Sequence, residues 1–314
     1  MRILVTGGAG FIASHIVDAF LAAGHDVAVI DDLSSGRREN LNPRARFYEV
    51  AVQDPAAADV LRREQPEILC HHAAQMDVRR SVADPVFDAR VNLLGLLNLM
   101  EQGRQVGLRR VLFASTGGAI YGEQDVFPAP ETHPCAPLSP YGVAKLASER
   151  YLYFYQATYG ITYAALRYGN VFGPRQNPHG EAGVVAIFAE KFLRGEQPVI
   201  NGDGTQSRDY VYVGDLVRAN LAALTADFSG AINLGTGIET DVNTIFRLVR
   251  ALCASDAPEQ HGPAKVGEQQ RSVIDNRLAR RVLGWQPEVA LEAGLRETVA
   301  YLRARLGGSA APHA

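Results

Sequence analysis

The first half of the chain is built from short apolar runs at 3–6, 27–30, 46–50, 68–71, 111–115 and 162–167. Stretches of helical periodicity separate them, at 11–23, 56–64, 86–106 and 141–159. Strands that are apolar almost throughout are buried on both faces, and a helix between successive strands permits parallel pairing. The predicted fold class is therefore α/β, a Rossmann-like doubly wound parallel sheet with helices on both sides. After residue 172 the alternation gives way to punctuation such as Gly173-Pro174 and Asn177-Pro178, then to a less regular mixture of helices and short strands. The 314 residues suit two units. We expect a first unit over 1–172, with 209–240 returning to it, and a smaller C-terminal α/β substrate-binding unit over 173–314.

Composition removes several function classes. A formal net charge of −3 argues against a nucleic-acid binder. No apolar run is long enough to span a membrane, and the N-terminus lacks the basic, apolar and small-residue series of a secretory signal. Cys70, Cys135 and Cys253 form no CxxC pair, and the eight histidines form no HExxH, so no metal site and no disulfide framework is expected. A cytoplasmic location follows as the expectation.

The first apolar run ends in Thr6-Gly7-Gly8-Ala9-Gly10-Phe11-Ile12-Ala13. It can be read as Gly8-x-Gly10-x-x-Ala13 or as Gly7-x-x-Gly10-x-x-Ala13, with the same physical content. Glycines permit a tight strand-to-helix turn, and backbone N–H groups at the positive end of the helix can meet a pyrophosphate. Asp31 closes the second run 21 residues after Gly10, where a carboxylate can hold a ribose 2′-hydroxyl. It would repel a 2′-phosphate, so the cofactor indicated is NAD rather than NADP, with Arg37 and Arg38 read as a solvated loop.

Ser139-Pro140 is a helix start, which puts Tyr141 and Lys145 at i and i+4 on one face. A free tyrosine is a poor base at neutral pH. A neighbouring ammonium is expected to favour the phenolate, making the pair a general base for an alcohol proton. The YxxxK spacing alone is common by chance; its weight comes from the glycine turn upstream. Ser115 and Thr116 end the fifth run, where strand C-termini line the ligand crevice, and either hydroxyl could bind a substrate alcohol.

These residues together resemble the extended short-chain dehydrogenases, in particular the nucleotide-sugar epimerase/dehydratase family, with the bacterial UDP-glucose 4-epimerases most similar. The likeness runs through TGGAGFIAS, HHAAQMDVRRSVADP, ASTGGAIYGE, YGVAK, LRYGNVFGPRQNP, NGDGTQSRDYVYVGD, NLGTG and LGWQP. It implies that Gly7, Gly10, Phe11 and Ile12 line the NAD pyrophosphate turn, with Ala73, Ala74 and Asn92 beside the cofactor. Tyr141 is then the base, Lys145 the ligand of the cofactor ribose, and Tyr168 closes over the nicotinamide side. For the UDP-sugar it implies Asn170, Val184, Val185 and Arg208, with Arg208 on the diphosphate. Lys265 stands where an arginine is usual, and Arg271 is a candidate to compensate. Ala13 and Ala51 also depart from the pattern, and Gly117 replaces the usual catalytic hydroxyl residue. The proton relay then falls to Thr116, Ser115 or a water.

The implied reaction is 4-epimerisation of a UDP-sugar, UDP-glucose to UDP-galactose, through a transient 4-keto sugar. UDP-glucuronate or a UDP-N-acetylhexosamine would use the same base. A 4,6-dehydratase would need further acid/base groups after Thr116, where Gly117-Gly118-Ala119 offers none. A non-catalytic NAD sensor is the alternative of another class. The resemblance also implies a homodimer formed by the helices at 86–106 and 141–159.

Overall fold

The structure, a computed structural model, describes residues 1–178, 183–264 and 269–308. A seven-stranded parallel sheet forms its centre. In chain order the strands are β1 (Arg2–Thr6), β2 (Asp26–Asp31), β3 (Arg46–Glu49), β4 (Ile68–His71), β5 (Arg110–Thr116), β6 (Thr162–Tyr168) and, much later, β10 (Gly230–Leu234). Their order across the sheet is β10-β6-β5-β4-β1-β2-β3, which reverses direction beside β1 as a doubly wound sheet does.

Alternation along each strand feeds two cores. Ile3, Val5, Val29 and Leu166 face α1 (Phe11–Ala22) and α8 (Val213–Ala223), around Phe20 and Leu216. Leu4, Ile30, Leu69 and Phe113 face α2 (Ala56–Glu64), α5 (Gly95–Gly103) and α6 (Pro140–Tyr159). Burial on both faces is why these strands read as continuous apolar runs.

The expected helix over 86–106 is interrupted. After α3 (Val78–Ala83) and α4 (Pro85–Ala89), residues Arg90–Leu94 form a π-helical turn before α5 begins. Asn92 is buried in that turn and bonds the loop after β4, an inward commitment made within the widened turn.

A smaller, four-stranded sheet comprises β7 (Asn170–Phe172), β9 (Ser207–Tyr212), β11 (Glu239–Asp241) and β13 (Arg271–Ser272). A two-stranded pair, β8 (Ile200–Asn201) with β12 (His261–Gly262), lies apart from it. Helices α7 (Val184–Leu193), α9 (Val242–Cys253) and α11 (Leu291–Gly308) enclose a third core around Phe188, Phe246 and Leu295. The stretch 209–240 divides between the two sheets. Residues 207–212 belong to the small sheet, whereas α8 and β10 join the large one. Helix α10 (Arg277–Leu283) and Trp285 also return, with Ala279 and Trp285 inside the first core. Trp285 is 3% exposed and donates its indole N–H to the Asp215 carbonyl at 2.7 Å. No helix among the described residues is long and apolar enough to cross a membrane.

Trp285→Ala should therefore lower the unfolding free energy by about 3–5 kcal/mol. Urea unfolding would read this as a fall in midpoint without a change of slope.

Candidate active site

The glycine turn is shaped by close backbone approaches. Gly7 has φ +71° and donates to the Ile30 carbonyl at 2.8 Å, and a Cβ there would stand 2.7 Å from the Ala73 nitrogen. Gly10 caps α1 with no side-chain cap, and the first helical turn carries no acidic residue. The N-terminal N–H groups are thus left for an anion, with the helix dipole in their favour. Phe11 and Ala13 are buried into the helix–sheet contact, and Ile12 is half-buried.

Asp31 is buried, and its carboxylate accepts the Ala9 N–H at 2.9 Å and the Leu33 N–H at 2.8 Å. Burial raises its pKa and the two backbone bonds oppose the rise. An ionised carboxylate has further lone pairs, so it can still accept from ribose hydroxyls. Arg38 pairs with Glu49 and lies over the Phe47 ring, while Arg37 reaches Glu39 and Asn177.

The Thr6 hydroxyl accepts the N–H groups of His72 and Ala73, both at 3.2 Å, and meets His71 Nδ1 at 2.7 Å. With its acceptor capacity used, it donates to Nδ1, which assigns the proton of neutral His71 to Nε2. That nitrogen is buried without a partner among the described residues. Asn92 fixes the next residues, its Oδ1 accepting the Gln75 N–H and its Nδ2 donating to the Gln75 carbonyl and to Asp88. Asn92 therefore shapes the Ala73–Gln75 loop, with both amide protons donated.

Ser139 caps α6 by accepting the Gly142 N–H, with Pro140 at the first helical position. Lys145 is 2% exposed. Its Nζ donates to the Ala114 carbonyl at 2.8 Å and lies 4.7 Å above the Phe113 ring and 5.7 Å from the Tyr141 ring centroid. Burial lowers its pKa to about 8, against the opposing fields of Asp88 and Glu149. Tyr141 departs from the expectation of a phenol tuned down by this ammonium. Burial pushes its pKa up, and the buried Asp88 carboxylate pushes it further. The sequence reading missed Asp88; its place four residues before Asn92, on the same helical face, was the available signal.

Ser115 and Thr116 part ways, as strand neighbours must. Ser115 is buried and donates to Glu149 Oε1 at 2.6 Å, so its hydroxyl is turned beneath α6. Thr116 is only half-buried. A Cβ on Gly118 would meet Asn170 Oδ1 at 3.6 Å, Thr116 Oγ1 at 3.9 Å and Ser272 Oγ at 4.0 Å, so these three polar groups converge. Gly117 has a steric reason: a Cβ there would stand 2.6 Å from Ile274 Cδ1.

Tyr168 is 5% exposed, with its hydroxyl on Asn220 Nδ2 at 2.9 Å and His72 Nε2 at 3.0 Å, so that group is spent inside the first core. Arg208 and Ser272 share a face of the small sheet by register. Arg271 projects from the other face, paired with Glu239 and 3.7 Å over the Phe127 ring. Val184 is half-buried at the start of α7, but Val185 is turned into the third core. Lys265 lies outside the described residues. Among the described residues no group of three or more His, Cys, Asp or Glu could hold a metal ion.

The description of one protein family, the NAD dependent epimerase/dehydratase family, matches residues 3–235. The chain is 46% identical to a UDP-glucose 4-epimerase of Mycolicibacterium smegmatis, over 96% of this chain and 99% of that protein. Among solved structures it is similar to the UDP-glucose 4-epimerase of Thermotoga maritima with UDP-glucose, at 49% identity and TM-score 0.96 over 98% and 100% of the two chains. It is also similar to the Thermus thermophilus UDP-glucose 4-epimerase in complex with NAD, at 45% identity and TM-score 0.91 over 96% and 99%.

Gly7→Ala should force the β1 turn and the β4 loop apart, since a left-handed residue acquires a Cβ against backbone. The purified variant should carry less dinucleotide than the parent, read as nucleotide released on denaturation.

Proposed function

The chain belongs to the NAD-dependent epimerase/dehydratase family, and we propose that within it this protein is a UDP-sugar 4-epimerase interconverting UDP-glucose and UDP-galactose. The observation that carries the reading is the placing of Tyr141 and Lys145 on one face of α6, with the ammonium bonded to the last residues of β5. The glycine turn, the uncapped start of α1 and the spare acceptor capacity of Asp31 fit NAD. NAD supplies a reversible hydride acceptor whose oxidised ring adds positive charge.

The chain's own residues account for the proton. Tyr141 takes it from the C4 hydroxyl as that carbon is oxidised to the ketone, and returns it after the sugar has turned about its diphosphate linkage. Burial and the Asp88 carboxylate raise the phenol's pKa, and positive charge beside the ring would favour the phenolate. Lys145 would hold the cofactor ribose, and Thr116 would orient the sugar hydroxyl. Asn170 and Arg208 would take the diphosphate, a guanidinium–phosphate match. The Gly117–Ala119 turn has no carboxylate to remove a C5 proton, which favours epimerisation over dehydration. In this reading the first unit binds the dinucleotide and the second the UDP-sugar. The three free cysteines suit a reducing cytosol.

Helices α4–α6 leave an apolar face in water. Val86 is 67% exposed and Val143 54%, beside an open groove of about 530 Å³ lined by Ala89, Leu93, Leu138 and Ala147. A second copy of the chain covering this face makes the protein a homodimer.

Two outcomes are expected. Without added cofactor the purified protein should convert UDP-galactose to UDP-glucose, and Tyr141→Phe should lower kcat by about 10²–10⁴-fold while bound NAD is retained; full turnover in that variant excludes Tyr141 as the base. Val86→Asp with Val143→Asp should shift the mass seen by light scattering from dimer to monomer, and a monomeric parent protein sinks the dimer.

A further inference from the structure

A chain of buried polar side chains ties α6 to the large sheet where neither the proton chemistry nor the cofactor uses it. Glu149 follows Lys145 by one helical turn and Tyr141 by two, on the same face. Its Oε1 accepts the Ser115 hydroxyl at 2.6 Å and Arg167 Nε at 3.0 Å, and its Oε2 accepts Arg167 Nη2 at 2.6 Å. Arg167 Nη1 donates to the Tyr121 hydroxyl at 2.9 Å, and Tyr121 donates to Asn233 Oδ1 at 2.6 Å. Glu149 is 6% exposed, Arg167 4% and Tyr121 1%. One carboxylate thus reaches β5 one residue before Thr116, β6 one residue before Tyr168, and, through Tyr121, the turn after Thr116 and strand β10.

A buried ion pair is a poor stabiliser, because desolvation cancels much of its Coulomb energy. A bidentate one is a good geometric constraint. We propose that Glu149 is a positioning residue: it locks the α6 face bearing Tyr141 and Lys145 to the C-terminal ends of β5 and β6, and sets a fixed negative charge one turn from the ammonium. This rests on Tyr141 and Lys145 being the reacting pair.

The charged and titratable groups around Lys145 are Asp88 from α4, Glu149 and Tyr141 from α6, and His71 and His72 from β4. Asp88 and Glu149 favour the ammonium, while burial holds its pKa at about 8. The Lys145 charge in turn adds to burial in keeping both imidazoles neutral. Removing the Glu149 charge lowers the lysine pKa further, so activity that needs the ammonium is lost at lower pH.

The test uses the holoenzyme with UDP-galactose. Glu149→Gln removes the charge and keeps an oxygen for Ser115. The double variant Glu149→Gln/Arg167→Met removes both charges, so that no lone guanidinium is left buried if the single variant fails to fold. Either should lose about 10²-fold in kcat, with KM and NAD content unchanged. In the single variant the alkaline limb of kcat should move toward acid. Wild-type kcat in the double variant overturns the inference. So does a loss of kcat in the single variant with an unmoved limb and a lowered Tm, which marks the pair as a structural staple. Tyr141→Phe, measured alongside, separates the two claims. Lost turnover there with a wild-type double variant overturns only the role of Glu149; full turnover there overturns both.

Discussion

An ammonium taken out of water keeps its proton only where fixed dipoles and charges replace the solvent. Lys145 is held in that way at the meeting of α6, β4 and β5. The Ala114 carbonyl accepts its hydrogen bond, the Phe113 ring lies under it, and Asp88 and Glu149 supply negative field. The arrangement exists only because β4 and β5 are neighbours in the sheet and α6 buries one face upon them. The phenol of Tyr141 takes its place from that contact. Much of the architecture can be read as support for one cation in an apolar setting.

The parts legible in the sequence were those fixed by local rules. Gly7 announces its turn because its left-handed backbone beside Ala73 leaves no room for a side chain, and α6 announces its start through Ser139 and Pro140. The strands of the large sheet show through their apolar runs. What stayed hidden depends on partners distant in the chain. The break at Asn92 is set by an amide pairing with Gln75, which no periodicity encodes. Strands β11, β12 and β13 are two or three residues long, too short to carry an alternation. The split between Ser115 and Thr116 was in principle readable, since neighbours on a strand face opposite ways. Which of the two faced the crevice required α6 to be placed.

Electrostatics departed furthest from the reading of the sequence. A lysine four residues after a tyrosine suggests a softened phenol, yet burial and Asp88 stiffen it. The sequence reading counted the cations near the phenol and left out the solvent removed from around it. Arg271 shows the same limit for recognition: its charge suited a phosphate, but register gave it to Glu239.

The order in which the chain visits its two units has a consequence for dissection. Strand β10 completes one margin of the large sheet, and α8 with Trp285 cover one of its faces, although all three lie beyond β7 and α7 in sequence. A fragment ending near residue 172 would leave β6 with bare backbone donors and acceptors and uncover Leu166 and Phe20. The halves are therefore not exchangeable cassettes. Replacing the smaller sheet and its helices would mean exchanging separate stretches on either side of α8–β10 while preserving that segment.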